Sequence, residues 1–288
     1  MSDLRPRRSV LYMPAANERA LDKAKGIPAD ALIFDLEDAV APDAKPDARR
    51  NAVAAALSGE YGNKEITIRC NGLDTQWGHE DLAAAAMANV SAVVIPKINS
   101  VKEVEAVSSA LASAGAPGSM KIWAMIETPT AIFDVRQIAA HPRVQTLVMG
   151  TNDLAKELRA TQVRGRAPLT PHLATALLAA REAGKVILDG VFNDVKDLDV
   201  FRDECVQGAQ MGFDGKTLIH PSQVEIANDV WAPSADEVDY AQRVIAAFEE
   251  ATAEGRGVIT VDGRMIENLH VDNARRVLAV QAAIESLS

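Results

Sequence analysis

Glu127 and Asp153 each close a short apolar run, Ile122-Trp-Ala-Met-Ile-Glu127 and Thr146-Leu-Val-Met-Gly-Thr-Asn-Asp153. If those runs are neighbouring strands, their ends set two hard oxygen donors side by side. Mg2+ takes one or two carboxylates, keeps waters and leaves positions for substrate oxygens. A general acid/base pair is the competing chemistry, and a solvated pair of surface acids is the plainest reading. Arg69 lies in Ile66-Thr-Ile-Arg-Cys-Asn71. Its planar guanidinium can hold a carboxylate or thioester oxygen through two parallel hydrogen bonds. Glu37 and Asp38 follow Ala31-Leu-Ile-Phe-Asp-Leu-Glu37 and could instead engage Arg69 in a salt bridge; the two roles can coexist.

The polar residues call for elements that gather them. Eight apolar runs recur along the 288 residues. Besides the four above they are Arg8-Ser-Val-Leu-Tyr-Met13, Ala92-Val-Val-Ile-Pro-Lys97, Val186-Ile-Leu-Asp-Gly-Val191 and Gly212-Phe-Asp-Gly-Lys-Thr-Leu-Ile-His220. Stretches with helical periodicity separate them: Asn17–Lys25, Lys45–Leu57, Glu80–Met87, Val101–Ala114, Ala131–Ala139, Leu173–Ala183 and Asp199–Gly208. Alternating strand and helix signals predict a parallel sheet. Eight units predict a closed TIM (β/α)8 barrel, an α/β fold whose active site gathers at the C-terminal strand ends. Glu37, Arg69, Asn71, Lys97, Glu127, Asp153 and Asp189 are then expected to converge on one mouth. The long polar loop Ala160–Pro168 would border it.

The pattern changes after His220, which reads as a structural hydrogen-bonder. A helix is expected over Ala235–Gly255 with Ser234 as N-cap. A hairpin over Gly257–Ile266 turns at Asp262-Gly263, and a last helix covers Asp272–Leu287. The expected division is a barrel over 1–230 and a lid or oligomerisation extension over 231–288.

The net charge of −10 argues against broad nucleic-acid binding or an anionic membrane surface. Cys70 and Cys205 are the only cysteines, which excludes a zinc ribbon or disulfide framework. No long apolar segment suggests a membrane span, and a cytoplasmic location is the expectation. No P-loop, GxGxxG, HExxH or GxSxG occurs, so the corresponding nucleotide, zinc-protease and serine-hydrolase readings find no support.

An ordered set of motifs resembles the citrate lyase β-subunit-like proteins. This is the CoA ester lyase branch of the HpcH/HpaI aldolase superfamily, which includes malyl-CoA and citramalyl-CoA lyases. The motifs are Phe34-Asp-Leu-Glu-Asp-Ala-Val-Ala-Pro42, Ile68-Arg-Cys-Asn-Gly72, Val94-Ile-Pro-Lys97, Ile126-Glu127, Gly150-Thr-Asn-Asp-Leu154 and Leu218-Ile-His-Pro-Ser-Gln-Val224. Each alone is weak; their order from Arg8 to the last helix is specific. The resemblance implies Mg2+, or Mn2+ in its place, held by Glu127 and Asp153. It implies catalytic roles for Arg69, Glu37 and Asp38, with Arg69 on the reacting oxygens. Coenzyme A, as part of the substrate, would be contacted by Lys23, Arg19, Tyr12, Pro96 and Lys97. Lyases of this kind carry an arginine about six residues before that lysine; Ala16-Asn-Glu-Arg19 stands here, and Arg19 takes that contact. Gly263-Arg-Met-Ile-Glu267 resembles the segment that covers a neighbouring subunit's site. There the lyases end on an aspartate that serves as acid/base, so the resemblance implies a catalytic role for Glu267, which carries the carboxylate one methylene further out, a shift of about 1 Å, enough to alter rate.

The expected function is Mg2+-dependent retro-Claisen cleavage of a short 3-hydroxy-acid CoA thioester, malyl-CoA or citramalyl-CoA, by a homotrimer or homohexamer. A (3S)-malyl-CoA thioesterase on the same scaffold is the close rival. A citrate lyase β-subunit acting on an acyl-carrier-protein thioester and a non-catalytic CoA-binding protein are the others.

Overall fold

A computed structural model of the chain describes residues 4–253 and 259–287. Eight parallel strands close into a barrel in sequence order. They are β1 (Ser9–Pro14), β2 (Ala31–Asp35), β3 (Glu65–Arg69), β4 (Ala92–Ile95), β5 (Lys121–Ile126), β6 (Val144–Met149), β7 (Val186–Asp189) and β8 (Gly215–Leu218). The helices between them are α1 (Glu18–Ala24), α2 (Lys45–Leu57), α3 (Gly78–Met87), α4 (Val101–Ser113), α5 (Pro129–Ala140), α6 (Thr151–Glu157), α7 (Thr170–Glu182) and α8 (Leu198–Met211). After β8 come α9 (Val224–Trp231), α10 (Ala235–Ala253), the hairpin β9 (Ile259–Val261) and β10 (Arg264–Ile266), and α11 (Asn268–Glu285).

Local chemistry explains the joints. Asn17, Ser100, Thr128 and Asp197 cap α1, α4, α5 and α8 through side-chain oxygens that accept from backbone N–H groups. Gly212 ends α8 in the left-handed region, where a side chain would be strained. Asp262 and Gly263 both adopt positive φ, as a two-residue hairpin turn requires. Alternate strand residues fill the barrel, among them Val10, Ile33, Val94, Trp123, Met125, Val148 and Leu188. At the N-terminal end Arg7 forks onto Glu65 at 2.6 and 2.9 Å and lies over the Trp123 ring.

The described residues form two compact units. One is Arg7–Asn228; the other comprises the residues before Arg7 together with those from Asp229 on. The second has its own small core, built from Ala241, Val244, Val261, Ile266, Val271 and Ala274. Glu254, Gly255, Gly257 and Val258, expected in the helix over Ala235–Gly255 and in the hairpin, lie outside the described residues. No helix among the described residues is long and apolar enough to cross a membrane.

Three expectations are corrected. Asp153 does not end β6: that strand stops at Met149, and Asp153 is the third residue of α6. Asp189 does not reach the mouth. Leu188 before it points into the barrel, so Asp189 points outward beneath α8, where it meets Lys216 at 2.9 Å and Arg166 at 2.7 Å. Lys216 is fully buried and also reaches Glu204 of α8 at 2.8 Å. Asn71 does not line the main mouth cavity: it joins a buried network with Lys45, Asp81 and the Leu36 carbonyl and borders the neighbouring cavity with Glu37 and Lys97.

Candidate active site

A cavity of about 440 Å³ opens at the C-terminal strand ends, lined by Tyr12, Asp35, Asp38, Arg69, Glu127 and Asp153, with Asn152 and Asn193 on its rim. Met125, Met149, Val191 and Ile219 give it apolar walls. The structure thus gathers Tyr12, Arg69, Asp38, Glu127 and Asp153. Glu37, Pro96 and Lys97 line an adjoining cavity of about 370 Å³. Lys23 and Arg19 are exposed on α1 and line neither. Glu267 is an exposed residue of the other unit, at the N-cap of α11, where its N–H donates to Nδ1 of His270 at 3.1 Å.

Arg69 is oriented by a residue that the sequence reading did not single out. Asp35 is its register partner across β2 and β3. Asp35 accepts from Nε and Nη2 at 2.6 Å each, and both side chains are buried. The two-bond edge of the guanidinium therefore faces Asp35 rather than a ligand. Nη1 lies 2.7 Å from Oε2 of Glu37, an ion pair without the alignment of a hydrogen bond, and 3.6 Å from Asp38. The Tyr12 ring lies under the guanidinium plane at 4.8 Å. Strand periodicity could have found Asp35, since Ile33 and Asp35 share the inner face.

Glu127 follows β5 and is 2% exposed. Oε1 accepts from the Lys97 N–H at 2.7 Å. Lys97 delivers that N–H from a left-handed backbone, φ 50°, uncommon for a residue with a side chain. Gly150 makes room on the other side, because a Cβ there would collide with the Glu127 carboxylate. Burial pushes the Glu127 carboxyl up to about 7; the Lys97 N–H opposes this, and the charges of Glu37 and Asp153 add to it. Burial likewise raises Glu37 to about 7, against Arg69 and with help from Asp38 and Asp35. Partial burial lowers the Lys97 ammonium, but the surrounding carboxylates outweigh it and hold it above its ordinary value. Burial raises the Tyr12 phenol, so it stays protonated.

The donor set suits a hard divalent cation. Glu127 and Asp153 repel each other in a buried, acid-rich pocket, and a cation removes that penalty. Among the described residues no group of three or more His, Cys, Asp or Glu side chains forms a closed metal cage. Two carboxylates with open positions match the way Mg2+ is usually held.

A sequence model of the HpcH/HpaI aldolase/citrate lyase family matches residues 8–221. The chain is 50% identical over 279 residues to a (3S)-malyl-CoA thioesterase of Cereibacter sphaeroides, covering 97% of this chain and 96% of that one. It is 36% identical over 281 residues to the citrate lyase subunit beta of Escherichia coli, covering 96% and 93%. Among solved structures, CitE of Mycobacterium tuberculosis in complex with magnesium, acetoacetate and coenzyme A superposes with a TM-score of 0.80 at 28% identity, covering 97% of this chain and all of that one. An eight-stranded barrel with an acid-rich, arginine-bearing mouth and relatives that match it almost end to end place this chain, an enzyme, in the HpcH/HpaI aldolase/citrate lyase family.

Proposed function

We propose that this enzyme hydrolyses a short 3-hydroxy-acid thioester of coenzyme A, of the malyl-CoA kind, with Mg2+ held by Glu127 and Asp153. The observation that carries the chemistry is the carboxylate pair, Glu127 buried and Asp153 half-buried, that shares one small cavity with Arg69. The thioesterase matched over nearly its whole length supports the substrate and the bond. Held by Glu127 and Asp153, Mg2+ would supply a Lewis acid for the substrate's oxygens.

The chain's own groups do the rest. Arg69, locked by Asp35 and backed by Tyr12, presents fixed positive charge where the thioester oxygen gains negative charge. Glu37 and Asp38 hold the guanidinium from the other side. The apolar walls limit water around the thioester. Pro96 and Lys97 border the approach of the CoA arm, and Lys23 and Arg19 contact its phosphates. Glu267 of a neighbouring copy in a homotrimer or homohexamer takes the proton from the attacking water. The water oxygen bonds to the thioester carbon, the carbon–sulfur bond breaks, and the departing CoA sulfur receives the proton.

Retro-Claisen cleavage is the second reading, because charge developing on an enolate oxygen would meet the same arginine, and the citrate lyase subunit is also a relative. Incubation with malyl-CoA and Mg2+ separates them. Free malate with CoA supports hydrolysis; glyoxylate with acetyl-CoA supports cleavage; neither product refutes both. Glu127→Gln and Asp153→Asn should each abolish turnover and weaken Mg2+ binding with the fold intact, since each removes a charged oxygen at nearly constant volume.

A further inference from the structure

Lys45 is the first residue of α2 and one of the three buried residues of that helix, with Ala48 and Ala52. It is an unfavourable place for a cation. Burial strips its water, and a helix N-terminus favours negative charge. The side chain is 5% exposed. All three donors of the ammonium are used: the Leu36 carbonyl at 2.9 Å, the Glu37 carbonyl at 3.0 Å and Oδ1 of Asn71 at 2.9 Å. The Trp77 ring covers it at 4.9 Å.

The contacts converge on the short loop after β2. Its N–H groups are held from the barrel: Leu36 N–H donates to the Arg69 carbonyl at 2.9 Å, and Glu37 N–H to Oδ1 of Asp35 at 2.9 Å. Its carbonyls are held from α2. Asn71 shares the task, donating to the Leu36 carbonyl at 2.9 Å and to Asp81 at 2.6 Å. Asp81 in turn accepts from Arg49 at 2.7 Å, one helical turn beyond Lys45. A loop bound on both edges has one backbone position, and that position sets Glu37 against Nη1 of Arg69.

We infer that Lys45 is a positioning residue for the reaction: a buried ammonium that fixes Glu37, and through it the reactive face of Arg69. The inference rests on the proposed roles of Glu37 and Arg69. Lys45→Met keeps the length and removes the donors, leaving Oδ1 of Asn71 without its ammonium partner and the Leu36 and Glu37 carbonyls with one donor each, Asn71 and the Val40 N–H.

Two readouts test it on the intact protein. Amide hydrogen exchange needs no substrate. It should rise about tenfold or more over residues 36–40 in Lys45→Met, while residues 121–126 across the barrel stay at wild-type rates. Turnover of malyl-CoA with Mg2+ should fall roughly 10–100-fold in kcat, in keeping with a displacement of about 1 Å, with Mg2+ affinity changed less than about threefold. Lys45→Met combined with Glu37→Gln should be no slower than the slower single variant, because both act through one group. Multiplying losses, or exchange that rises around the whole barrel, would show general structural support and overturn the inference. If Lys45→Met does not fold, Lys45→Gln, which keeps two donors, must show intermediate exchange and rate; wild-type values for both would also overturn it. A wild-type enzyme that yields neither malate nor glyoxylate defeats the functional reading, and the exchange experiment then still decides the role of Lys45.

Discussion

Replacing Arg69 with lysine isolates the guanidinium's shape from its charge. Both hydrogen bonds to Asp35 are 2.6 Å, with Arg69 8% and Asp35 1% exposed. A lysine reaches one Asp35 oxygen or Glu37, but cannot span both with a flat fork. Losing one charge-assisted bond costs about 1.5–3 kcal/mol. In a chain of this size that corresponds to a Tm lower by about 3–12 °C. The loss in kcat should be larger, on the order of 10²–10³-fold, by analogy with removing an oxyanion donor. Arg69→Ala should be similarly slow but less stable, by about 3–5 kcal/mol, because it strands a buried Asp35 carboxylate. The assays are calorimetric melting and release of free CoA thiol from malyl-CoA. Asp35→Asn in the Arg69→Ala background should restore part of the Tm and none of the rate. A lysine variant with wild-type kcat and Tm would refute the reasoning, showing that Arg69 supplies charge alone.

Gly150→Ala should cost about 10²-fold in kcat and weaken Mg2+ binding, since the added Cβ displaces Glu127; a wild-type rate with unchanged affinity in calorimetry would contradict that. The raised carboxyls of Glu127 and Glu37, each about 7, sit above their unfolded value of about 4.3. The folded state therefore binds more protons between those values, and stability rises as pH falls from about 8 to about 5. The metal-free protein should melt higher at pH 6 than at pH 8 relative to a Glu37→Gln/Glu127→Gln variant; an equal pH response in the two would count against the burial argument. Mixing Glu267→Gln subunits with Asp153→Asn subunits should regenerate some activity after subunit exchange; exchanged hetero-oligomers that stay inactive would rule out a carboxylate supplied in trans.

The barrel was legible because each strand is a short apolar run and stretches with helical periodicity separate the runs, so their order pointed to parallel pairing. The mouth was legible only where strand parity happened to agree with strand ending. Glu127 lies two residues past the inward Met125 and also faces in. Asp189 lies one past the inward Leu188 and faces out. Reading run ends without counting the two-residue alternation merged those cases. The same omission hid Asp35 and Lys216. Asp153 was found in kind but not in place, since the glycine-led turn that ends β6 starts a helix at Thr151. Lys45 was invisible because a lysine within a helical stretch reads as solvated, and only packing shows its three acceptors.

The outward pair Asp189–Lys216 bears on how the barrel shuts. β7 and β8 meet over only two register pairs, Leu188 with Gly215 and Asp189 with Lys216, against five between β1 and β2. So short a seam has little backbone bonding with which to choose its alignment. A slip of one residue would turn Lys216 inward among apolar side chains and leave Asp189 and Glu204 with Arg166 but without the ammonium between them. The charge pair therefore acts as a key that fits the final joint in one alignment, so the last strand to be synthesised in the cylinder locks rather than slides.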